Sequence, residues 1–330
     1  MLNYILFILS FFAVTTHGQD IPDDPRHALK EYVSLRNSFK RSNTKEFSKT
    51  EQMELDDICF AMQKKFPDAY QTDLMWYINN QYYEIDHDKI KSAYSKKSQD
   101  PFVLKKTFGY YELTNQPAEF NKLAPKVAKF YSQNELLYYE HVLPASGVLI
   151  VSSEEEAWPL YVLQKVKGKG NNVTVVTMDY LVNDAYRQRM ATKLGTGNMQ
   201  FFGNETTFIK TALSHSNVYL STTVPQAYLD KCTESTYLTG LVYQRNGGDQ
   251  KALLESFWGQ IKKEKMTDYN LSYSEKKLYT NYLPPLLTLY VLKREAGEKT
   301  EVLKQAIETI AKKVEQTKKV NAILTVYDND

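Results

Sequence analysis

Between Gly147 and Arg189 the chain reads GVLIVSSEEEAWPLYVLQKVKG and then NNVTVVTMDYLVNDAYRQR, a β-branched run, a helical pattern, a second β-branched run and a second helical pattern. Short β-branched runs fit strands. Two strands with a helix between them join one sheet most simply in parallel, through a right-handed crossover that covers a face with helix. NVYLSTTV and TYLTGLVYQR supply two further strand candidates around PQAYLDKC, and MQFFG near Phe201 a fifth. The expectation is a small parallel-sheet α/β domain over residues 143–245.

The flanks change period. Residues 25–142 read as amphipathic helices broken at Pro67, Asp86 to Asp88, Asp100-Pro101 and Asn115 to Pro117. Phe102, Val103, Phe108, Tyr110, Tyr111 and Leu113 form one apolar face; Phe120, Leu123, Val127, Phe130 and Tyr131 continue at helical spacing. This pair resembles one tetratricopeptide-like unit, although the hairpins do not repeat at a fixed period. Asn246-Gly247-Gly248 marks a turn into a second helical region, residues 246–330. There Pro284-Pro285 should interrupt a helix, Gly297 end it and Thr300 start the last one. The fold class expected is α/β plus α, a small sheet between helical-hairpin regions.

An apolar run from Tyr4 to Val14, followed by Thr16 and Gly18, reads as a signal peptide over residues 1–18. No later stretch reaches the roughly 18 apolar residues of a membrane span, and the mean hydropathy is −0.49. The expectation is a periplasmic or secreted chain with no integral span after cleavage. Interspersed lysines and acids leave a net charge of +2, so no nucleic-acid partner is expected. With Cys59 and Cys232 as the only cysteines, a disulfide-dense scaffold and a cysteine-rich zinc site are excluded. Two buried thiols, or one long-range disulfide, remain.

Ligands of open parallel sheets bind beyond the carboxyl ends of the strands. After the first strand this chain carries Ser152, Ser153, Glu154, Glu155 and Glu156. A phosphate seat exposes backbone N–H groups through glycines, whereas three carboxylates repel the anion, so no nucleotide cofactor is expected, and no other cofactor either. Ser153 and Glu156 have the spacing of a capping box. Glu154, Glu155 and Glu156, with Trp158 as a stacking face and Asp179 at the end of the next strand, are the candidate ligand-binding residues. They suit a sugar or a hard cation if further oxygens converge. His27, His87, His141 and His215 stand apart from one another and read as surface or turn residues. No HExxH or GxSxG motif is present, so no catalytic or metal-binding residue is assigned. Asp86 and Asp88 lack the remaining positions of a calcium loop and read as a helix boundary. The chain holds 25 tyrosines. The pairs Tyr82-Tyr83, Tyr110-Tyr111 and Tyr138-Tyr139 place one ring inward by helical geometry, and Tyr110, Tyr111, Tyr138 and Tyr139 are the candidate partner-binding residues.

Several of these pieces together resemble the soluble C-terminal region of bacterial protein O-mannosyltransferase-like multi-span membrane proteins. The resemblance rests on Ser153 to Glu156, Trp158-Pro159-Leu160 and Leu163-Gln164; on VTVVTMDYL with Asp184, Tyr186 and Arg187; and on VYLSTTVP with Leu238, Gly240, Leu241 and Tyr243. It covers Gly147 to Arg245, and Gln250 to Thr317 resembles the helical continuation. This chain departs from that family in lacking its membrane-spanning part and in carrying three glutamates where the family has a mixed Asp and Asn turn. What the resemblance implies is an exported accessory module of a bacterial envelope, connected with glycoprotein or envelope biogenesis, without the transferase activity. The expected function is non-enzymatic binding of a protein partner in the cell envelope. The alternatives are a carbohydrate-binding or carbohydrate-active protein using Glu154 to Glu156, and a structural envelope-assembly factor.

Overall fold

The structure, a computed structural model, describes residues 21–40, 47–80, 84–195, 205–214, 217–231, 236–245, 248–264 and 269–328. The expected signal peptide, Cys232, His215, Tyr82, Tyr83, Phe201 and the dipeptide Asn246-Gly247 lie outside them. The chain forms two compact units, one up to Asn79 and one from Asn80 onward.

Among the described residues the first unit holds three helices, α1 (Pro25–Lys40), α2 (Lys49–Lys65) and α3 (Tyr70–Asn80). Ser48 and Glu51 close a capping box at the start of α2. Tyr32, Leu55, Cys59, Met62, Leu74 and Tyr77 are buried in its core. Burial pushes the Cys59 thiol up to about 12, so it packs as a small apolar group. Tyr32 donates to Asn79 (3.0 Å) and Asn79 to Asp56 (2.6 Å), a chain of polar contacts that links α1, α3 and α2.

In the second unit the order is α4 (His87–Lys96), α5 (Pro101–Leu113), α6 (Pro117–Ala128), α7 (Gln133–Val142), β1 (Gly147–Val151), α8 (Glu154–Val166), β2 (Val173–Thr177), α9 (Asp184–Lys193), α10 (Glu205–Leu213), β3 (Val218–Ser221), α11 (Gln226–Lys231), β4 (Thr236–Leu238), β5 (Val242–Arg245), α12 (Gln250–Lys263), α13 (Tyr273–Tyr279), α14 (Leu283–Glu295), α15 (Glu301–Lys313) and α16 (Thr317–Asp328). Local chemistry sets many of the boundaries. Asp86, read as a helix boundary, caps α4 through the Lys89 N–H, and Asp100 caps α5 through those of Phe102 and Val103. Pro284 and Pro285 stand in the first turn of α14, where a missing N–H costs nothing, and the helix they would have interrupted stops at Tyr279.

The sheet order is β2-β1-β3-β5-β4. Strands β1, β2 and β3 are parallel, with Gly147 opposite Val173 and Val148 opposite Val218. The expectation of a wholly parallel sheet is corrected at its other end, where β5 runs antiparallel to both β3 and β4. TYLTGLVYQR is therefore two strands, folded back at Gly240, whose φ of +136° suits glycine and whose missing Cβ leaves room for the Phe257 ring.

Alternate residues divide between the two faces. Leu149, Val151, Val173, Val175 and Val242 pack with residues of α5 to α8 and α12 to α16; Val148, Ile150, Val176, Val218 and Leu220 pack with Tyr186, Met190, Phe208 and Ile209 of α9 and α10. The crossovers β1–α8–β2 and β2–α9–α10–β3 run in opposite directions along the sheet, and crossovers of one hand then place their helices on opposite faces. The first core joins helices from both flanks to the sheet.

Candidate functional site

Three strands deliver side chains to the carboxyl end of the sheet. Beyond β1 come Ser152 to Glu156, beyond β2 come Met178 to Tyr180, and beyond β3 come Thr222 and Thr223. Between β1 and β3 the order reverses, the switch point at which an open parallel sheet leaves a crevice for a ligand.

A buried carboxylate of the protein itself, that of Glu156, stands at this switch point. Ser153 caps α8 by accepting from the Glu156 N–H (3.4 Å), but the Glu156 carboxylate does not return to Ser153. It accepts instead from the Ser152 N–H (3.1 Å), lies 3.3 Å from Ser152 Oγ, and accepts from the hydroxyls of Ser221 and Thr223. Glu156 thus bridges β1 to β3. Its burial pushes the carboxyl above the usual glutamate range, and the hydrogen bonds oppose that shift.

A second cluster lies between β1 and β2. Lys106 of α5, 3 % exposed, forms an ion pair with buried Glu154, and its Nζ lies 3.6 Å from Glu155. Tyr180 Oη donates to Glu154 Oε2 (2.9 Å), and the Glu154 N–H donates to Asp179 (3.1 Å), which caps α8 from the end of the neighbouring strand. The Lys106 ammonium sits over the rings of Phe102 and Trp158, 5.3 and 5.4 Å from their centroids. Gly109 makes this approach possible, because a Cβ there would stand 2.3 Å from Tyr180 Oη. Trp158 Nε1, enclosed beside Gly109, has no acceptor among the described residues.

Of the expected ligand-binding residues, then, Glu154, Glu156, Trp158 and Asp179 are buried and Glu155 is exposed. They share one end of the sheet without presenting several carboxylates to solvent. Of the expected partner-binding tyrosines, Tyr110, Tyr138 and Tyr139 are buried and Tyr111 is half-buried. Their rings belong to the packing: Tyr138 meets Tyr139, Tyr279 and Tyr282, and Tyr110 Oη lies 2.7 Å from His87 Nδ1. The expectation of an exposed tyrosine surface at these positions is corrected accordingly, since helical geometry turns the rings inward.

His141 also departs from the surface role expected of it. Its side chain is 5 % exposed, with Nδ1 2.8 Å from Tyr282 Oη and Nε2 2.8 Å from Glu264. Burial pulls its pKa down against the opposing pull of Glu264. Among the described residues no group of three or more His, Cys, Asp or Glu side chains is placed to hold a metal ion, and no helix is long and apolar enough to cross a membrane.

Sequence reasoning missed Lys106, Tyr180, Ser221 and Thr223. The signal for Lys106 was its place on the apolar stripe of α5, three residues after Val103 and four before Tyr110. For Ser221 and Thr223 it was hydroxyls at the end of a parallel strand next to the switch point. The fold and this site define a helix-rich α/β plus α chain with a buried, hydrogen-bonded carboxylate at the switch point of its sheet. Comparison with protein-family models, curated proteins and solved structures finds no match.

Proposed function

We propose that the chain is an exported accessory module of a bacterial envelope that acts by binding a protein partner and not by catalysis. The observation that carries this reading is Glu156. The place where an open parallel sheet receives its ligand is held by a carboxylate engaged with Ser152, Ser221 and Thr223. Glycoside chemistry needs two carboxylates across a sugar. Here Glu154 is paired with Lys106 and Asp179 caps α8, which leaves Glu155 as the exposed member of the turn. The tetratricopeptide-like reading of the helical hairpins and the resemblance to an envelope-associated family support a binding role in the same compartment.

The buried tyrosines leave another candidate surface in the first unit. Met53 and Phe60 on α2 are 56 % and 62 % exposed, seven residues and so two turns apart on one face, and Trp76 of α3 meets Phe60 edge-on at 5.0 Å. Exposed apolar groups gathered in this way mark interaction sites. The test is capture of the mature protein with its partner from the native envelope under mild cross-linking, using wild type, Phe60→Asp and Glu156→Gln. The expected result is a stoichiometric partner retained by Glu156→Gln and lost by Phe60→Asp, with both variants folded by circular dichroism. A thermal shift with sugars that Glu155→Gln abolishes, and no stoichiometric partner, would overturn the reading in favour of a carbohydrate site.

A further inference from the structure

One end of the C-terminal helices gathers exposed lysines. Elsewhere in that segment Lys251 and Lys293 pair with Glu298 and Lys304 with Asp328, and at this end Lys276 pairs with Glu315. Lys262, Lys263, Lys277, Lys312, Lys318 and Lys319 are exposed and have no acidic partner among the described residues.

Three bonds bring their elements together. Lys276 of α13 meets Glu315 in the turn between α15 and α16 (2.7 Å), Lys313 Nζ donates to the carbonyl of Tyr269 just before α13 (2.7 Å), and Tyr269 Oη donates to the carbonyl of Glu264 at the end of α12 (2.8 Å).

Helix stability accounts for part of this arrangement. Lys262, Lys263, Lys277 and Lys312 stand in last turns, where a cation complements the helix dipole. It does not account for Lys318 and Lys319, in the first turn of α16, where a cation is unfavourable. Beside them Tyr273, the first residue of α13, is 73 % exposed and holds the Lys277 ammonium 4.7 Å from its ring centroid. A tyrosine with an apolar ring and a polar tip suits the boundary of a bilayer, and lysines on flexible stems suit a diffuse layer of anionic headgroups. Helices α12, α13, α15 and α16 contain no arginine, whose fork is the usual means of seating individual phosphates of a nucleic acid.

We propose that this end of the helical layer docks on anionic phospholipid bilayers. The inference goes beyond the protein-partner reading and does not rest on it. The experiment is co-sedimentation of the mature chain with vesicles of phosphatidylcholine alone and of phosphatidylcholine mixed with phosphatidylglycerol, at low and high salt. Binding is expected to the mixed vesicles, at least about tenfold tighter than to neutral ones and weakened by salt. Replacing the six lysines by glutamine should remove that preference. Lys318→Glu with Lys319→Glu should weaken docking several-fold although acidic residues favour the start of α16, so that loss of binding cannot be loss of fold; an unchanged thermal midpoint checks this. Equal binding to both vesicle types, unchanged binding of the lysine variants, or binding to duplex DNA without binding to vesicles would each overturn the proposal.

Discussion

A carboxylate enclosed by donors from its own chain is a group with a definite pH signature. The Glu156 carboxyl titrates above its ordinary 4.5 in the folded protein, because burial disfavours the charged form by more than the hydrogen bonds from Ser221, Thr223 and Ser152 favour it. The folded state therefore holds this proton more tightly than the unfolded chain does. Its contribution to stability is full below the unfolded value and is lost as pH rises through the raised folded value. Glu156→Gln keeps an acceptor for the Ser152 N–H and never ionises. Wild type minus variant stability should consequently decline as pH rises from the unfolded value through the raised folded one, read by urea midpoints across that range. A difference independent of pH would show that Glu156 does not titrate in this way. Glu156→Ala removes the acceptor altogether and should cost about 2 kcal/mol or more at low pH, since the Ser152 N–H and the two hydroxyls lose their common partner, with the cost falling as pH rises.

At the scale of elements, the packing of α5 on the end of β2 depends on one glycine. Gly109 lies inside a helix, where alanine would add about 1 kcal/mol of propensity. Against that gain, a Cβ would stand 2.3 Å from Tyr180 Oη, and Tyr180 is 1 % exposed and donates to Glu154. Overpacking costs about 1–3 kcal/mol, and a hydrogen bond to a charged group is worth about 1.5–3 kcal/mol. Gly109→Ala should therefore destabilise by about 1.5–5 kcal/mol, measured by chemical denaturation. Tyr180→Phe should cost less when combined with Gly109→Ala than alone, because the clash and the hydrogen bond involve the same oxygen.

Much at this scale was legible. The β-branched runs gave β1 and β2, Ser153 caps α8 as its spacing indicates, and Pro284-Pro285 marks the start of a helix. The burial of the acidic turn was not read, although it had a signal: Ala157 to Leu163 is apolar all round, and a helix of that kind is enclosed, its first turn included. The β4–β5 hairpin was hidden because a reversal at one glycine leaves the β-branched pattern on either side unbroken. Lys106 was hidden because its partner lies 48 residues away, in a pairing that only the folded chain creates.

For the whole molecule, the separation into two units has a thermodynamic consequence. The core of Tyr32, Leu55, Cys59 and Leu74 shares no residue with the two clusters that pack against the sheet, and those clusters meet the sheet from its opposite faces. A substitution in one core should then act on one unfolding transition. Leu74 is fully buried in α3, and replacing a buried leucine by alanine costs about 2–5 kcal/mol through lost transfer free energy and the cavity left behind. A unit that ends at Asn79 is small, with little apolar surface to enclose and a small total stability. Leu74→Ala should lower the transition of the first unit by many degrees, or abolish it, while the transition of the sheet unit stays within a degree or two of wild type. Differential scanning calorimetry separates these outcomes. A single transition that moves as a whole would mean that the two units unfold as one, and the near-UV signal of the tyrosines packed around Tyr138 and Tyr282 provides an independent reading of the sheet unit, since those rings lie in its core.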